Sequence, residues 1–243
     1  MSTLEISVDV IVDVYHKPKE ECLMRSIIVD FEFCTVNKKQ RNITGTKLYH
    51  EIIEFGAVML DEDMNVLGRF QKFVKPQYGK VSADITRLTG ITSMTLENEM
   101  KFSDVMEAFV KWIGYEKFQI CSWSMSDFKQ LSVEVAEKCP ENDYEYIFDG
   151  WRDTQREFGD GIGYEGSLSL KNAMSAIDES FEGKAHDALV DAENTALLVS
   201  LLADKKQFDK RTKTLQELLK PSEEVNTLGN MFGELFAQFG YSF

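Results

Sequence analysis

The sequence predicts an α/β fold, with a sheet whose first strands meander and whose later strands alternate with helices. In the first third of the chain, apolar segments of strand length follow one another at 26–34, 49–60 and 66–74. In the second half, short apolar segments alternate with longer ones whose apolar residues recur at helical spacing. Such alternation of strands and helices is typical of an α/β sheet.

Composition sets the first bounds on size and function. The chain has 243 residues, of which 43% are hydrophobic and 17 are phenylalanine, enough for a sizeable core in one large domain or two small ones. Only 4 prolines and 15 glycines argue against a long disordered linker. The net charge of −14 (27 basic against 41 acidic residues) is a poor fit to a protein that grips long nucleic acid by neutralising phosphates. Such a chain repels polyanions except where a cation or a local basic patch compensates.

The first strands are the clearest elements. Residues 4–15 alternate apolar and polar, which predicts a half-buried strand. Residues 26–34 predict a buried strand, and a polar loop, "VNKKQRNITGTK", follows at 36–47. The segments 49–60 and 66–74 are joined by a tight acidic turn and predict an antiparallel hairpin.

The later elements are mostly helical. Ser103 is a candidate N-cap for a helix over 103–114, and Ser124 or Ser126 for a helix after the short apolar strand at 118–123. Residues 144–148 are a candidate last strand. Ser167 is the candidate cap of a helix over 168–177, and residues 187–203 predict a strongly apolar helix.

The chain divides into a strand extension (1–25), a central unit (26–204) and a helical extension (205–243). In the last part, Lys220-Pro221 separates two short helical patterns. The second pattern places five apolar residues near one face, and these should pack against the chain's own core or form a homodimer contact. They are Leu228, Phe232, Leu235, Phe236 and Phe239.

The predicted location is the cytoplasm. The four cysteines form no C-x-x-C pair, and the composition does not suggest a secreted scaffold, so we expect reduced thiols. The N-terminus carries acids where a signal peptide needs basic residues, and no apolar run approaches the length of a membrane span.

Carboxylates interrupt the apolar pattern at two strand ends. Asp30 and Glu32 lie two apart on a strand, so both point to the same face, although strand ends also carry exposed acids about as often. Asp127 lies in the first turn of a predicted helix, where an acid is favourable for the helix dipole alone.

A third acidic segment, "KAHDALVDAENTALLV" at 184–199, adds a histidine. His186 precedes the apolar helix and Asp191 lies within it, while Asp187 is a candidate N-cap. An exposed acidic stripe and a structural histidine are the alternatives. Taken together, four carboxylates from three elements can hold two divalent cations for phosphoryl displacement, and a histidine can take the proton of the attacking water.

These residues resemble the DEDDh group of the DnaQ-like (RNase T) 3′–5′ exonuclease superfamily, over roughly residues 26–203. Asp30-x-Glu32, Asp127 and His186-x4-Asp191 match the order and wide separation of its three motifs, and "ITRLTGIT" at 85–92 is similar to its Leu-Thr-Gly-Ile segment. "SLKNAM" and "HDALVDAENTA" look most like the branch with the RNA-interference-regulating and histone-mRNA exonucleases and their bacterial relatives. The resemblance implies a ribonuclease H-like mixed sheet flanked by helices.

The resemblance also implies roles for individual residues. Metal ligation falls to Asp30, Glu32, Asp127 and Asp191, with two Mg²⁺ or Mn²⁺ ions, and His186 is the general base. The segment after the hairpin is expected to bind the terminal nucleotide, through Leu88, Thr89 and Ile91.

Two aromatic residues are further candidate contacts of the substrate. Trp123 offers a face for base stacking, with a core aromatic as the equal alternative. Phe33 stands where the family often has a small residue, so it is expected to narrow the pocket or to stack on the terminal base.

The implied function is a metal-dependent 3′–5′ exonuclease that releases nucleoside 5′-monophosphates from single-stranded ends, with short RNA favoured. Four basic residues of the 36–47 loop (Lys38, Lys39, Arg41 and Lys47) are candidate phosphate contacts, or else an ordinary solvated surface. A DNA 3′-end exonuclease and a non-catalytic binding protein on the same fold are the alternatives. The intact set of five residues argues against the second, since mere binding does not need them.

Overall fold

The protein, seen here in a computed structural model that describes residues 24–220, is built on a five-stranded mixed sheet in the order β3-β2-β1-β4-β5. The first three strands form an antiparallel meander, whereas β4 runs parallel to β1 and β5 runs parallel to β4. The predicted α/β class with antiparallel first strands is confirmed. The strands are β1 (Arg25–Thr35), β2 (His50–Leu60), β3 (Val66–Phe73), β4 (Phe118–Ser122) and β5 (Arg152–Asp153).

Nine α-helices and one short 3₁₀ helix (Glu145–Phe148) accompany the sheet in the described part of the chain. The α-helices are α1 (Lys38–Thr44), α2 (Ala83–Thr89), α3 (Ser93–Leu96), α4 (Phe102–Ile113), α5 (Met125–Lys138), α6 (Thr154–Ile162), α7 (Leu170–Ala176), α8 (Ala188–Ala203) and α9 (Lys205–Leu219).

Two expected elements differ from the structure. The predicted last strand at 144–148 is wrong, since the 3₁₀ helix occupies it and the edge strand is β5. A short apolar run does not distinguish the two, because Ile147 is buried in the core either way. The predicted loop at 36–47 contains α1, which Asn37 begins through a reciprocal capping box with Gln40.

The helix starts show where packing overrides capping. Ser124 caps α5 and Asp187 caps α8, as two of the candidates require. Ser103 is not a cap, because α4 begins one residue earlier at the buried Phe102. Ser167 is not a cap either, because its hydroxyl bonds the Gln155 side chain and Ser169 caps α7 instead.

Apolar layers cover both faces of the sheet. On one face, Phe31 and Phe55 pack with Phe109 of α4 in the largest core cluster. On the other face, Ile28 of β1 packs with Ala192 of α8. The central strand β1 is therefore buried on both sides, which explains its continuous apolar sequence.

The chain after Asp204 begins with a helix that belongs to the packed body. Phe208, Leu215 and Leu219 of α9 join the buried cluster of Phe158, so the proposed boundary at 204 lies between helices that share a core. The predicted strand at 4–15 and the apolar face at 228–239 lie outside the described residues, and the division into three parts stays a prediction.

Two further features concern the cysteines and the membrane spans. In the described part, Cys34, Cys121 and Cys139 are free and buried. None of the helices between residues 24 and 220 combines the length and apolar character that a membrane crossing requires.

Candidate active site

β1 delivers the first pair of acids. Asp30 and Glu32 share the face of Ile28, which is the side covered by α8. Glu32 is only 8% exposed, and its cross-strand neighbour on β2 is a further acid, Glu54. The β1–β2 register shifts directly after Glu32, so a bulge separates this acid pair from Phe33, as is frequent beside active sites.

β4 and α5 bring Asp127 beside this pair. Because β4 runs parallel to β1, the chain leaves β4 at the same sheet edge at which the β1 acids lie. Ser124 caps α5 and places Asp127 in its first turn. The Phe31 backbone N–H of β1 donates to Asp127 Oδ1 at 3.1 Å, which fixes the carboxylate against the strand.

α8 completes the acid cluster from the opposite layer. Gly56 lets the start of this helix approach β2, because a Cβ there would collide with the Ala188 backbone. Asp187 caps the helix, and Asp191 follows one turn later. Asp191 Oδ2 accepts the backbone N–H of His186 at 3.1 Å, so the acid also shapes the loop that carries the histidine.

His186 is exposed and sits beside the acids. Its φ of 63° lies in the left-handed region, which is uncommon for a residue other than glycine and often marks a functional position. Glu32, His186 and Asp191 each offer a ligand atom within 4.8 Å of the others. The structure thus brings together the residues of all three motifs.

Burial and repulsion by neighbouring acids raise the pKa of the four predicted metal ligands, Asp30, Glu32, Asp127 and Asp191. For Asp30 the pKa lies well above its usual range because of burial first, then repulsion by Asp127 and Asp191. Burial and the same neighbours raise the pKa of Glu32 to about 8. Mainly through burial, the pKa of Asp127 rises to about 7 and that of Asp191 to about 6. No ion pair between residues 24 and 220 joins any of these acids to lysine or arginine.

The donor set fits a divalent cation. Asp191 Oδ1 is buried and has no hydrogen-bond partner among residues 24–220, which is costly unless something else bonds it. Clustered carboxylate oxygens with one imidazole nearby are ligands that hard cations such as Mg²⁺ and Mn²⁺ accept. A metal there would relieve both the repulsion and the unpartnered oxygen.

Glu54 is a member of this cluster that sequence reasoning missed. It is 2% exposed, and it accepts the Gln71 amide at 2.8 Å and the Ala188 backbone N–H at 3.4 Å. Gln71 also donates to Asp187, at 3.3 Å, so Glu54 and Gln71 tie the sheet to the start of α8. The available signal in the sequence was an acid inside the apolar run "EIIEFGAV", and in the structure this acid lies directly across from Glu32 in the β1–β2 pair.

The Leu-Thr-Gly-Ile segment forms the end of α2 and the turn after it. Leu88 is exposed, whereas Ile91 is buried in a core cluster and Thr89 is buried with its hydroxyl bonded to the Ile85 carbonyl. The Lys184 ammonium reaches the Thr89 carbonyl at 2.8 Å and so connects this turn to the loop of His186. Leu88 is thus the member of the trio free to contact a base.

The two aromatic candidates have different surroundings. Phe33 is half-buried beside the acid cluster and lines an open groove, where its ring is reachable. Trp123 is 8% exposed, packs against Phe158 and donates its indole N–H to the Leu168 carbonyl at 3.0 Å. This environment is that of a core aromatic, the alternative stated for Trp123.

Known proteins resemble both the sequence and the fold. The chain is 27% identical to "Probable 3'-5' exonuclease KapD" of Bacillus subtilis, over 80% of this chain and 96% of that protein. It is 27% identical to "ERI1 exoribonuclease 2" of Danio rerio, over 84% of this chain but only 39% of that longer protein. It is 25% identical to "3'-5' exonuclease Snipper" of Drosophila melanogaster, over 82% of this chain and 75% of that protein.

The fold is also similar to that of a solved structure, the nuclease domain of 3'hExo, described as a DEDDh family member bound to rAMP. The TM-score is 0.62, with 24% identity over 76% of this chain and 94% of that one. The sequence model of the RNase_T family, described as "Exonuclease", matches residues 27–199. The chain therefore belongs to this exonuclease family.

Proposed function

We propose that the chain removes nucleotides one at a time from the 3′ end of single-stranded RNA and releases nucleoside 5′-monophosphates. The observation that carries this proposal is the cluster of buried acids that has raised pKa values, no cation of its own and a histidine beside it. Asp30, Glu32, Asp127 and Asp191 would hold two Mg²⁺ or Mn²⁺ ions. When bound, such ions orient the attacking water and neutralise charge on the leaving oxygen.

The chain's own residues supply positioning and proton transfer. The water oxygen bonds to phosphorus, and the bond from phosphorus to the 3′ oxygen of the preceding nucleotide breaks. His186 accepts the proton of the water, and the leaving 3′ oxygen takes a proton from solvent. Partial burial and the nearby Lys184 lower the pKa of His186, which favours the neutral imidazole that a base requires.

The terminal nucleotide is held at the end of α2 in this proposal. Leu88 offers an exposed apolar side chain for the base, and Thr89 and Ile91 support the turn from beneath. The bond from Lys184 to the Thr89 carbonyl keeps the turn at a fixed distance from His186. Phe33, which follows Glu32 on β1 and lines the groove along α5, would supply a ring for stacking.

RNA is favoured over DNA by the substrates for which two similar proteins are named. ERI1 exoribonuclease 2 is named for RNA, and a similar fold of 22% identity and TM-score 0.63 belongs to a 3′-exonuclease that recognises a histone mRNA stem-loop. The names of KapD and Snipper leave the nucleic acid open, so DNA 3′ ends are the second candidate. The choice depends on contacts to the 2′-hydroxyl.

A substrate panel tests this proposal. RNA and DNA oligonucleotides of one sequence, with free or blocked 3′ ends, are incubated with Mg²⁺ or Mn²⁺ and the products identified. We expect 5′-monophosphates from free 3′ ends and faster turnover of RNA. Release of 3′-monophosphates or internal fragments would contradict the mechanism, and labelled RNA that is bound but never cleaved would support the non-catalytic alternative.

Cytoplasmic location and a homodimer through residues 205–243 remain proposals. Three free, buried thiols are compatible with a reducing compartment. Within 205–243, the described helix α9 buries its apolar residues in its own chain, which leaves the dimer contact to residues beyond 220. Sedimentation of the full chain and of a chain ending at Lys220 tests the dimer, since only the full chain should associate.

A further inference from the structure

An open groove of about 1200 Å³ runs along α5 away from the acid cluster. One wall is the surface of α5, including Lys129 and Val133, and the other is the segment from Thr44 to His50 that precedes β2. The mechanism above uses none of this surface except Phe33.

One end of the groove lies next to the acid cluster along the chain. Phe33 and Ser126 both line it, and they are the chain neighbours of Glu32 and Asp127. The groove is therefore the surface that a strand would reach as it leaves these two residues.

The lining carries the chemistry that single strands need. Lys47 and Lys129 are exposed cations, and Phe33, Tyr49 and Tyr78 are aromatic. Positive charge for the backbone and aromatic faces for the bases are the two elements of sequence-tolerant single-strand binding. With two lysines and one acid, Glu137, the lining has a formal net charge of +1 in a protein whose net charge is −14.

The acid and the arginine near the groove are already engaged. Glu137 accepts hydrogen bonds from the Thr46 hydroxyl and the Lys47 backbone N–H. Arg41 donates to the Val36 carbonyl at 2.8 Å, and its guanidinium lies 3.9 Å above the Tyr49 ring. The Glu137 carboxylate is therefore fixed beside the backbone of Lys47, and one face of Tyr49 is held while the residue stays 65% exposed.

The part of the groove lining that contains Tyr78 is held in place by the protein itself. The Tyr78 backbone N–H donates to the buried Glu51 at 2.8 Å, and Glu51 pairs with Lys138 of α5 at 2.6 Å. The Lys138 ammonium also lies 5.8 Å from the centroid of the Tyr78 ring, so the ring has a partner on α5 before any ligand arrives, which lowers the entropy cost of binding.

We propose that this groove binds the nucleotides upstream of the terminal one, with Lys47 and Lys129 on phosphates and Tyr49 and Phe33 on bases. Its volume exceeds the 300–1,000 Å³ or so typical of sites for one small molecule, which suits a polymer segment. The proposal rests on the proposed exonuclease function, because the direction of the strand in the groove is fixed only if its 3′ end lies at the acid cluster.

The test compares two charge-matched double variants. Lys47→Gln/Lys129→Gln removes the groove cations, and Lys111→Gln/Lys117→Gln removes two exposed lysines near the start of β4, at the opposite end of that strand from Asp127. Binding of a labelled eight-nucleotide RNA is measured by anisotropy with metal present, and hydrolysis is measured on the RNA and on the p-nitrophenyl ester of thymidine 5′-monophosphate.

We expect the groove variant to bind the RNA about 25-fold more weakly at 0.1 M salt. Each lost phosphate contact costs about fivefold there, from a slope of about 0.7 per contact on single strands, and the salt dependence should flatten by about 1.4. Tyr49→Leu should weaken binding about fivefold or more through lost stacking. Hydrolysis of the small ester should match that of the wild type, and the control variant should match it in every assay.

Equal RNA affinity of the groove variant and the control would overturn the proposal and would mean that the groove serves another occupant, such as a protein segment. An equal loss on RNA and on the small ester would also overturn it. Failure of the exonuclease function looks different, since the wild type would then hydrolyse neither substrate while the binding comparison would still report on the groove.

Discussion

Two buried acidic clusters both include residues of β2 and α5, but only one of them contains a cation within the described residues. β2 contributes Glu54 to the active-site cluster and Glu51, three residues earlier, to a second cluster. α5 likewise contributes Asp127 to the first and Glu134 to the second. The second cluster contains its own cation, Lys138, whose side chain is 5% exposed.

Every acid of the second cluster is bonded. The Lys138 ammonium lies 2.6 Å from both Glu51 and Glu134. Glu51 also accepts the backbone N–H groups of Gln77, Tyr78 and Gly79, and Glu134 accepts that of Ile52 and the amide of Gln130. The active-site cluster has more carboxylates, fewer donors and an oxygen without a partner.

The presence or absence of an internal cation distinguishes a structural acidic cluster from a candidate metal site. A buried carboxylate group that carries its own ammonium and backbone donors is complete as it stands, and it braces β2 against α5. One that lacks a cation is incomplete until an external cation arrives. The structural cluster therefore holds the two elements that present the incomplete one.

The largest effect on activity is expected from substitutions that remove a carboxylate of the active-site cluster. Asp191→Asn or Asp30→Asn should bring 3′-end hydrolysis below detection, because each removes a carboxylate that a divalent cation needs. The measurement is release of labelled mononucleotide at saturating Mn²⁺. The circular dichroism spectrum and the melting temperature should remain those of a folded protein, and activity near wild type would contradict the assignment.

The next effect separates proton transfer from metal binding. His186→Ala should lower kcat by about 10²- to 10⁴-fold, the usual contribution of a general base, while Mn²⁺ affinity stays near the wild-type value. Single-turnover hydrolysis and metal titration on the same preparation give both numbers. Unchanged kcat would remove His186 from its role.

A substitution in the cluster of Glu51, Glu134 and Lys138 should lower the stability of the fold. Lys138→Met leaves two buried carboxylates without their cation and should lower the free energy of unfolding by about 3–5 kcal/mol. Urea denaturation measures this, and saturating Mn²⁺ should not restore the loss. Arg69→Gln is the control, because its pair with Glu193 is partly exposed and should contribute less than about 1 kcal/mol.

Apo stability should depend on pH in the direction set by the raised pKa values. Because folding raises the pKa of Glu32 from 4.5 to about 8 and that of Asp127 from 3.8 to about 7, the folded apo protein binds more protons than the unfolded chain between pH 4 and 8. Glu32 and Asp127 therefore stabilise the folded apo protein fully below about pH 4. This stabilisation is lost as the pH rises through the pKa values that the two acids have in the folded state.

Calorimetric scans between pH 5 and 8 measure this dependence. The scans should show the apo melting temperature falling as the pH rises, and Mn²⁺ should reverse the trend by binding the ionised acids. A flat apo profile, or one that metal leaves unchanged, would contradict the account.

The smallest expected effect relieves repulsion at one position. Asp127→Asn keeps an oxygen for the Phe31 N–H and removes one charge, so the apo protein should gain about 0.5–2 kcal/mol while activity falls. The comparison uses urea denaturation in a chelator. A destabilised apo variant would show that the helix-dipole and backbone bonds of Asp127 outweigh the repulsion.

Much of the site was readable from the sequence because its acids break an apolar pattern. Asp30, Glu32 and Asp127 stand where buried strands end, and Asp191 with His186 opens an apolar helix. Parallel β1 and β4 then bring the first three to one sheet edge.

Features that depend on partners across the fold were not readable. Glu54 and Lys138 are ordinary residues of a strand and a helix until tertiary pairing places Glu54 beside Glu32 and Lys138 between two buried acids. Trp123 shows the reverse, since its position beside a motif suggested a ligand while packing made it core. Local turn chemistry also hid α1 inside a basic, polar segment.

The most direct test of the central claim, that the active-site acids are completed by external cations, is titration calorimetry of the apo protein with Mn²⁺ at pH 7.5. The account predicts saturable binding of two ions per chain, with proton release, that Lys111→Gln/Lys117→Gln leaves unchanged and Asp30→Asn abolishes or halves. Absence of saturable binding to the folded wild type, or binding that Asp30→Asn leaves intact, would contradict it.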